Sequence, residues 1–287
     1  KDMGGEDLRD FLVKQLNQWI QWSNHQYIKD IKKWKRLAVL KTLADFRGAK
    51  CYIGVDLSSG GDLTSIAIVI PFVDDEGNKK YFVKTHSFIP SGRVDEHIKT
   101  DKVPYDVWVE KGLVTPTYTL GGIKTDYKYI LSYLSDLIAE YDLKPQMICY
   151  DPHNASAFLS DLEELGWDAV AITQTAKVLN DATVDFRLEI LVGNVEIEGV
   201  EVGKGKKVVP RDELLTWSIA NAKTISNNYG EIKIDKDISE ERIDPIDAII
   251  DAWIPAMKDE YKPDANELVN DWFAMNEKYK QKGGESR

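Results

Sequence analysis

Apolar and polar positions divide this chain into a helical beginning, an antiparallel middle and a mixed α/β remainder. Over residues 6 to 45, apolar side chains recur every three or four positions, which predicts helix. Three strand-like runs follow, joined by short turns rich in glycine, serine and aspartate. They predict an antiparallel meander over residues 51 to 56, 63 to 72 and 80 to 88.

Beyond the meander the pattern changes twice. Residues 91 to 120 have no clear period and are predicted to be irregular, except for an amphipathic stretch around residues 105 to 108. After that, helices alternate with short buried strands, which is typical of a mixed α/β sheet flanked by helices. The predicted helices are 125 to 141, 155 to 165, 176 to 192, 214 to 226 and 244 to 257; the predicted strands are 147 to 150 and 169 to 173; an exposed hairpin is predicted over 193 to 209.

The composition is that of a folded domain with no membrane segment. Hydrophobic residues make up 43% of the 287 residues and charged residues 30%, which supplies both a core and a solvated surface. No apolar run approaches the roughly 20 residues that span a bilayer, and no secretory signal pattern opens the chain. We therefore expect a soluble intracellular protein whose two cysteines, Cys51 and Cys149, are buried reduced thiols rather than zinc ligands.

The charge balance argues against general binding to nucleic acid, yet it is uneven along the chain. With 37 Lys and Arg against 48 Asp and Glu, the net charge is −11, whereas phosphate contacts favour basic side chains. Basic residues are nevertheless concentrated over residues 29 to 50, and again at Lys204, Lys206 and Lys207. Such patches can face a polyanion, although an ordinary solvated surface explains each of them equally well.

Two aspartates stand where predicted strands end. Asp56 closes the first strand of the meander, and Asp151 follows the strand predicted over residues 147 to 150. Carboxyl ends of strands are where α/β sheets present ligand sites, and converging carboxylates repel unless a cation or proton lies between them. Their oxygen ligands suit Mg²⁺ or Mn²⁺ rather than zinc. The pair therefore indicates a divalent-cation site, although either aspartate alone is also typical of a turn cap.

A third acidic group lies on one face of the last predicted helix. Asp244, Asp247 and Asp251 are spaced i, i+3 and i+7, and Pro245 suits the first helical turn. Asp244 is also a plausible N-cap, which is its purely structural interpretation. Asp251 is expected to lie too far along the helix to bind the same ion, and Asp62 is expected to organise a turn.

Residues 50 to 257 resemble the C-terminal nuclease domain of the large terminase subunit of tailed phages, an RNase H-like fold. The resemblance rests on the order and spacing of three short motifs, at residues 54 to 64, 150 to 153 and 242 to 245. It implies a mixed sheet whose first three strands are antiparallel and whose later strands are parallel. It also implies a metal-dependent endonuclease whose catalytic acids Asp56, Asp151 and Asp244, with Asp247 as a further ligand, bind a pair of Mg²⁺ or Mn²⁺ ions.

The same resemblance implies the cutting of double-stranded concatemeric phage DNA during genome packaging, in the host bacterial cytoplasm. The implied partners are double-stranded DNA, an ATPase motor domain, the terminase small subunit and the portal, with no membrane. The resemblance also implies that the chain has three parts: a helical linker over residues 1 to 47, the RNase H-like nuclease domain over 48 to 258, and a charged tail over 259 to 287. Because the chain begins with Lys1 and lacks a phosphate-binding loop, we expect an excised domain that does not hydrolyse ATP.

The hairpin and one missing histidine qualify the resemblance. Family members often carry a histidine shortly before the helix that precedes the third acid, where this chain has residues 209 to 213. The hairpin just upstream, with Lys204, Lys206, Lys207 and the following Arg211, is either a DNA-contacting element or a surface ribbon. His153, next to Asp151, either touches a phosphate or simply enters a helix near solvent.

Three other interpretations stay open. The motif at residues 54 to 59 is also similar to the first phosphate motif of actin-like and sugar-kinase ATPases, although no second phosphate loop is visible. The aspartates are alternatively mere caps, in a non-catalytic module that docks onto a portal or capsid. Other RNase H-like nucleases, such as junction resolvases, carry similar acids, so the acids alone do not define the substrate.

Overall fold

A computed structural model describes residues 25 to 260, except for residues 59–61, 119, 154, 156–157, 160–161, 163–165 and 240. Over these residues the strands are β1 (Ala38–Val39), β2 (Lys50–Asp56), β3 (Thr64–Val73), β4 (Lys79–Pro90), β5 (Val114–Thr117), β6 (Lys144–Tyr150), β7 (Ala169–Ala171), β8 (Val195–Val202), β9 (Lys207–Pro210), β10 (Thr224–Ser226) and β11 (Ile232–Ile234). The α-helices are α1 (Ile31–Lys35), α2 (Val94–Asp101), α3 (Tyr105–Glu110), α4 (Tyr127–Tyr141), α5 (Ala176–Val192), α6 (Glu213–Asn221), α7 (Lys236–Ser239) and α8 (Asp244–Ala256).

The main sheet has the strand order β1-β8-β4-β3-β2-β6-β7, with β5 also paired to β4 and β9 to β8. Strands β2, β3 and β4 form the antiparallel meander that the hydrophobic pattern predicts. Strand β6 then runs parallel to β2, and β7 parallel to β6. As a result β2 and β6, which both carry an aspartate at or just beyond their carboxyl ends, finish side by side at the same edge of the sheet.

The two faces of the sheet are covered by different helices. Successive residues of β2 alternate between them: Tyr52 belongs to the core cluster that contains side chains of α5 and α8, and Ile53 to the cluster that contains side chains of α4. This alternation follows from the two-residue period of a strand. No helix in the described part of the chain is long and apolar enough to span a membrane.

Helix α8 lies unusually close to β2, and Gly54 allows this approach. A Cβ atom added at Gly54 would lie 1.8 Å from the backbone oxygen of Ala248. Ala248 and Ala252 present small side chains at this contact, and both are completely buried. The small residues at this contact therefore bring the acidic face of α8 up to the end of β2.

The helix predicted over residues 6 to 45 is tested only in part, since residues 6 to 24 lie outside the described residues. Between residues 25 and 45 the prediction is largely wrong. The structure has α1, the strand β1 and a 3₁₀ turn at Leu43–Phe46. Tyr27 and Trp34 are buried in the core, and β1 pairs with β8. Burial and strand pairing here outweigh the local helical period.

Two other predictions need correction. The stretch from residue 91 to 120, predicted to be largely irregular, contains α2, α3 and β5. The helix predicted over residues 214 to 226 ends at Asn221, because Thr224–Ser226 pairs with Ile232–Ile234 as a small antiparallel sheet. By contrast, α5 has the predicted bounds. The helix predicted over residues 155 to 165 falls mostly outside the described residues.

The hairpin and the cysteines agree with the sequence-based expectations. Strands β8 and β9 pair in antiparallel fashion, and the turn between them is exposed. The first residues of β8 are buried, however, because β8 also pairs with β4 in the main sheet. Cys51 and Cys149 are free and buried, and burial raises the pKa of each thiol to about 12.

Candidate active site

An open pocket of about 540 Å³ lies where the ends of β2 and β6 meet α8. Asp56 is the last residue of β2, and Asp151 comes directly after β6. Because Val55 and Tyr150 are partners in the parallel register, the two aspartates leave neighbouring strands at the same level. The acids of α8 complete the wall, so that the five aspartates singled out in the sequence all line one pocket: Asp56, Asp151, Asp244, Asp247 and Asp251.

Most of these carboxyl groups are withdrawn from solvent. Asp56, Asp244 and Asp251 are only 4%, 7% and 2% exposed. The pKa of Asp56 is raised to about 6 and that of Asp247 to about 8, mainly by burial; Lys236 opposes the shift, and neighbouring carboxylates add to it. Burial likewise raises the pKa of Asp251 well above its ordinary value, while a hydrogen bond from Gln174 opposes the shift. The pocket therefore disfavours full ionisation of its acids without a compensating cation.

A cation is present in the form of Lys236, the first residue of α7. Its Nζ atom lies 2.7 Å from Oδ2 of Asp56, 3.4 Å from Oδ1 of Asp244 and 3.5 Å from Oδ2 of Asp247. Although 52% of the side chain is exposed, its ammonium end lies among the three carboxylates. Burial lowers the pKa of Lys236, but the attraction of these carboxylates outweighs it and raises the pKa well above the ordinary value. Lys236 is therefore positively charged throughout the neutral range.

The donor set fits a hard divalent cation. Among the described residues, no three or more Asp, Glu, His or Cys side chains are spaced to hold a metal ion in the present arrangement. Three carboxylates nevertheless already converge on one positive charge, within 2.7 to 3.5 Å of it. Carboxylate oxygens are the ligands that Mg²⁺ and Mn²⁺ prefer. The chemistry of these donors, rather than their present spacing, therefore fits Mg²⁺ or Mn²⁺.

Positive charge also reaches the rim of the pocket through Arg242. Its guanidinium contacts Oδ1 of Asp62 at 3.2 Å and Oδ2 of Asp101 at 3.4 Å. Burial alone would raise the pKa of Asp101, but hydrogen bonds, among them those from His97 and Tyr105, bring it well below its usual range. Arg242 is thus held in place beside the acids by two carboxylates.

The structure corrects the cap interpretation of Asp244 and adds contacts for Asp251 and Asp62. Asp244 is the first residue of α8 and not its N-cap, which is Ile243 and makes no side-chain cap; the Asp244 side chain points to Lys236 instead. Asp251 lines the same pocket, and the expectation that it lies too far along the helix to bind the same ion stays a prediction. Asp62 also lines the pocket and pairs with Arg242.

The remaining predicted residues are distributed over two places. His153 is exposed at the pocket, and its backbone N–H donates to Oδ1 of Asp151 at 2.9 Å. The hairpin residues do not line the pocket: Lys204 and Lys206 lie in the exposed turn after β8, with Lys207 at the start of β9. Arg211 donates to Oε1 of Glu198 at 2.7 Å. The structure therefore brings the five aspartates together and places the basic hairpin elsewhere.

Sequence reasoning missed Lys236 and Gln174. Lys236 follows the short strand β11 in a segment of alternating charges, and nothing in that pattern singles it out. Gln174 donates from Nε2 to Oδ1 of Asp251 at 3.0 Å, which links the loop after β7 to α8. Both contacts join residues far apart in the sequence, so only the folded chain shows them.

Comparison with known proteins gives a consistent family. The family model of the terminase large subunit endonuclease domain matches residues 5–260. The terminase large subunit of Enterobacteria phage HK97 is 29% identical over 197 residues, which cover 68% of this chain and 35% of that protein. The crystal structure of the HK97 bacteriophage large terminase is similar with a TM-score of 0.63 and 25% identity, over 86% of this chain and 47% of that chain.

The chain therefore spans between about a third and a half of the length of these HK97 relatives. The large terminase nuclease domain of bacteriophage SPP1, in a crystal structure with bound Mn, has a TM-score of 0.40 and 12% identity, over 76% of this chain and 93% of that chain. The predicted RNase H-like mixed sheet flanked by helices is confirmed by the topology and by the HK97 structure. With a family model that matches nearly the whole chain, this protein belongs to the family of terminase large subunit endonuclease domains.

Proposed function

We propose that this chain is a divalent-metal-dependent endonuclease that hydrolyses phosphodiester bonds of double-stranded DNA. The observation that carries the proposal is the pocket itself, in which aspartates from β2, β6 and α8 converge and three of them share one positive charge. Converged, buried carboxylates cost stability, and such a cost is typical of a functional site. Membership of the endonuclease-domain family points to the same chemistry.

Asp56, Asp151 and Asp244 would hold the ions, with Asp247 as a further ligand. A pair of Mg²⁺ or Mn²⁺ ions supplies, when bound, an activated water and stabilisation of the charge on the attacking and leaving oxygens. The strand ends and α8 hold the carboxylates in place, and the burial of Asp56 and Asp244 limits competing water. Arg242, fixed at the rim by Asp62 and Asp101, places a positive group where a phosphate backbone approaches.

The biological setting extends this proposal. By its family, the substrate is concatemeric phage DNA that is cut during genome packaging in the cytoplasm of a bacterial host. The partners are then an ATPase motor domain, the terminase small subunit and the portal. We also keep the division into a linker over residues 1 to 47, a nuclease domain over 48 to 258 and a tail over 259 to 287. In the described part of that linker, Tyr27 and Trp34 pack against α5: the Tyr27 hydroxyl donates to the backbone oxygen of Thr183, and the ring of Trp34 contacts that of Phe186.

Plasmid cleavage tests the assignment. Purified chain is incubated with supercoiled plasmid and Mg²⁺ or Mn²⁺, or with EDTA, and the wild type is compared with Asp56→Asn and Asp151→Asn. Because each carboxylate would hold an ion, we expect a loss of roughly a thousandfold, about 4 kcal/mol of transition-state stabilisation. Asp237→Asn is the matched control, since Asp237 lines the same pocket but is exposed.

Circular dichroism and thermal melts establish that the variants are folded. Cleavage that persists in EDTA, or full activity in Asp56→Asn, would exclude the proposed centre. In the second case the aspartates are structural caps, and a portal-docking or capsid-docking module becomes the better description. Tight ATP binding in calorimetry without any cleavage would instead favour the ATPase interpretation of residues 54 to 59.

A further inference from the structure

Lys236 occupies the position at which the acids converge. The oxygen of Asp56 nearest to its Nζ atom lies at 2.7 Å, the distance of a charge-assisted hydrogen bond. Two further carboxylates, from Asp244 and Asp247, lie within 3.5 Å of the same nitrogen. The ammonium group is therefore the positive centre of the cluster.

An ammonium and a metal ion cannot use the same carboxylate oxygens in this space. Mg²⁺ binds oxygen ligands at about 2.0 to 2.1 Å, so its ligands must close around a point that Lys236 Nζ now approaches. The charges also differ: one ammonium offsets one of three carboxylates, whereas a divalent ion offsets two. The ion is thus the better neutraliser, once the ammonium has left.

The Lys236 side chain is free to leave without a change of fold. Half of it is exposed, and it begins the one-turn helix α7, so rotation about its own bonds carries the ammonium to the pocket mouth. Lysine has a long flexible stem with several accessible rotamers. The acids stand on the backbone of β2 and α8, so only side chains need to move when the ammonium leaves.

We propose that the Lys236 ammonium is an internal counterion that holds the aspartate cluster together in the metal-free protein and is displaced when a divalent ion binds. The inference rests on the proposed metal site. It assigns Lys236 a positioning role: the ammonium keeps the acids converged before the metal arrives, and it lowers the apparent affinity for metal by competing for the same oxygens.

Metal affinity and stability, rather than cleavage, test this proposal. Mn²⁺ binding to the full chain is measured by isothermal titration calorimetry, and melting temperature is measured in EDTA and in Mn²⁺. If the ammonium leaves the oxygens free about a tenth of the time, Lys236→Gln should bind Mn²⁺ about tenfold more tightly than the wild type. The same variant should melt at a lower temperature in EDTA, because its acids then lack their counterion, and should gain more from Mn²⁺.

Two variants serve as controls. Lys236→Arg keeps the positive charge and should keep the affinity near that of the wild type. Lys233→Ala removes a lysine that lines the same pocket but pairs with Asp235 at 3.3 Å, and should change neither quantity. Lys236→Ala repeats the measurement without an amide, in case the glutamine replaces the lysine contacts.

The outcomes separate this proposal from the nuclease assignment. Mn²⁺ affinity that is equal or weaker in Lys236→Gln and Lys236→Ala, with metal-dependent cleavage intact in the wild type, overturns the counterion role alone. Failure of Mn²⁺ to bind the wild type and both neutral variants overturns the counterion role and the metal centre together. Tighter binding in both neutral variants, with Lys236→Arg and Lys233→Ala unchanged, supports the role assigned to Lys236.

Discussion

The acids of β8 and the acids of the pocket at the ends of β2 and β6 differ in the number of basic groups that contact them. On β8, the side chains of Glu196 and Glu198 are 10% exposed, and each contacts two basic groups. The contacts are Lys41 at 2.7 Å and Lys80 at 3.7 Å for Glu196, and Lys84 and Arg211, both at 2.7 Å, for Glu198. Each of these two glutamates is therefore in contact with two positive charges.

In the pocket the ratio is reversed. Asp56, Asp244 and Asp247 share the single ammonium of Lys236, and burial raises the pKa of both Asp56 and Asp247. Matched charges on β8 offset one another, whereas the surplus acids in the pocket work against folding unless a further cation offsets them. Two similar collections of charged side chains thus have different purposes, and the ratio of acids to bases distinguishes them.

The largest expected effect comes from a substitution that breaks the scaffold of the pocket. Gly54→Ala would place a Cβ 1.8 Å from the backbone oxygen of Ala248, so α8 must move away from β2. We expect a loss of about 3 kcal/mol or more in the free energy of unfolding, with weaker Mn²⁺ binding. The matched substitution on β8 is Gly199→Ala. A Cβ added at Gly199 would have a side-chain atom of Val208 as its nearest neighbour, at 2.6 Å.

Since a side chain can give way more easily than backbone, Gly199→Ala should cost only about 1 kcal/mol. Chemical denaturation measures the free energy of unfolding of both variants, and Mn²⁺ titration measures metal binding in the pocket. Equal losses in the two variants would contradict the close contact of α8 with β2 as the support of the acidic cluster.

A smaller change in the free energy of unfolding is expected when one acid is neutralised in the pocket or on β8. The change should have opposite signs in the two places. Asp247→Asn removes an acid whose ionisation the folded protein disfavours, since its pKa is raised to about 8, and should stabilise the metal-free protein by about 1 kcal/mol, or roughly 2 to 4 °C in melting temperature. Glu198→Gln leaves Lys84 and Arg211 without their carboxylate and should destabilise it by about 0.5 to 1 kcal/mol, since both bases are partly exposed.

Thermal melts in EDTA give both values directly. Adding Mn²⁺ should reverse the advantage of Asp247→Asn, because the variant has lost a ligand, and should leave the cost of Glu198→Gln unchanged. A destabilising effect of Asp247→Asn in EDTA would mean that the pocket acids are matched after all.

The smallest effect concerns the hairpin beyond β8. If its turn contacts DNA, replacing Lys204, Lys206 and Lys207 together by alanine should flatten the plot of log affinity against log salt by about two to three units. Arg211→Ala should change it by less, because Arg211 already pairs with Glu198. Fluorescence anisotropy with a labelled duplex at several salt concentrations measures the slope, and an unchanged slope in the triple variant would make the hairpin a surface ribbon.

The hydrophobic pattern correctly predicted those elements in which the buried residues recur with the period of the strand or helix itself. The meander, α5 and α8 follow the hydrophobic periods closely, and Asp56 and Asp151 stand at the ends of neighbouring strands as expected. The pattern failed where a distant partner decides the conformation. Residues 38 and 39 form a strand because they pair with β8. Residues 224 to 226 form a strand because they pair with β11.

The sequence by itself determined that acids stand at two strand ends and along one helix face, since those positions depend only on the periods of strand and helix. Only the tertiary structure decided which acids share a pocket, that Asp251 belongs to it, and that Lys236 neutralises it. Lys236 and Asp56 are 180 positions apart, and their contact depends on how closely α8 packs on β2 and where α7 is then carried. Such distances are set by packing across the whole domain, which no local period encodes.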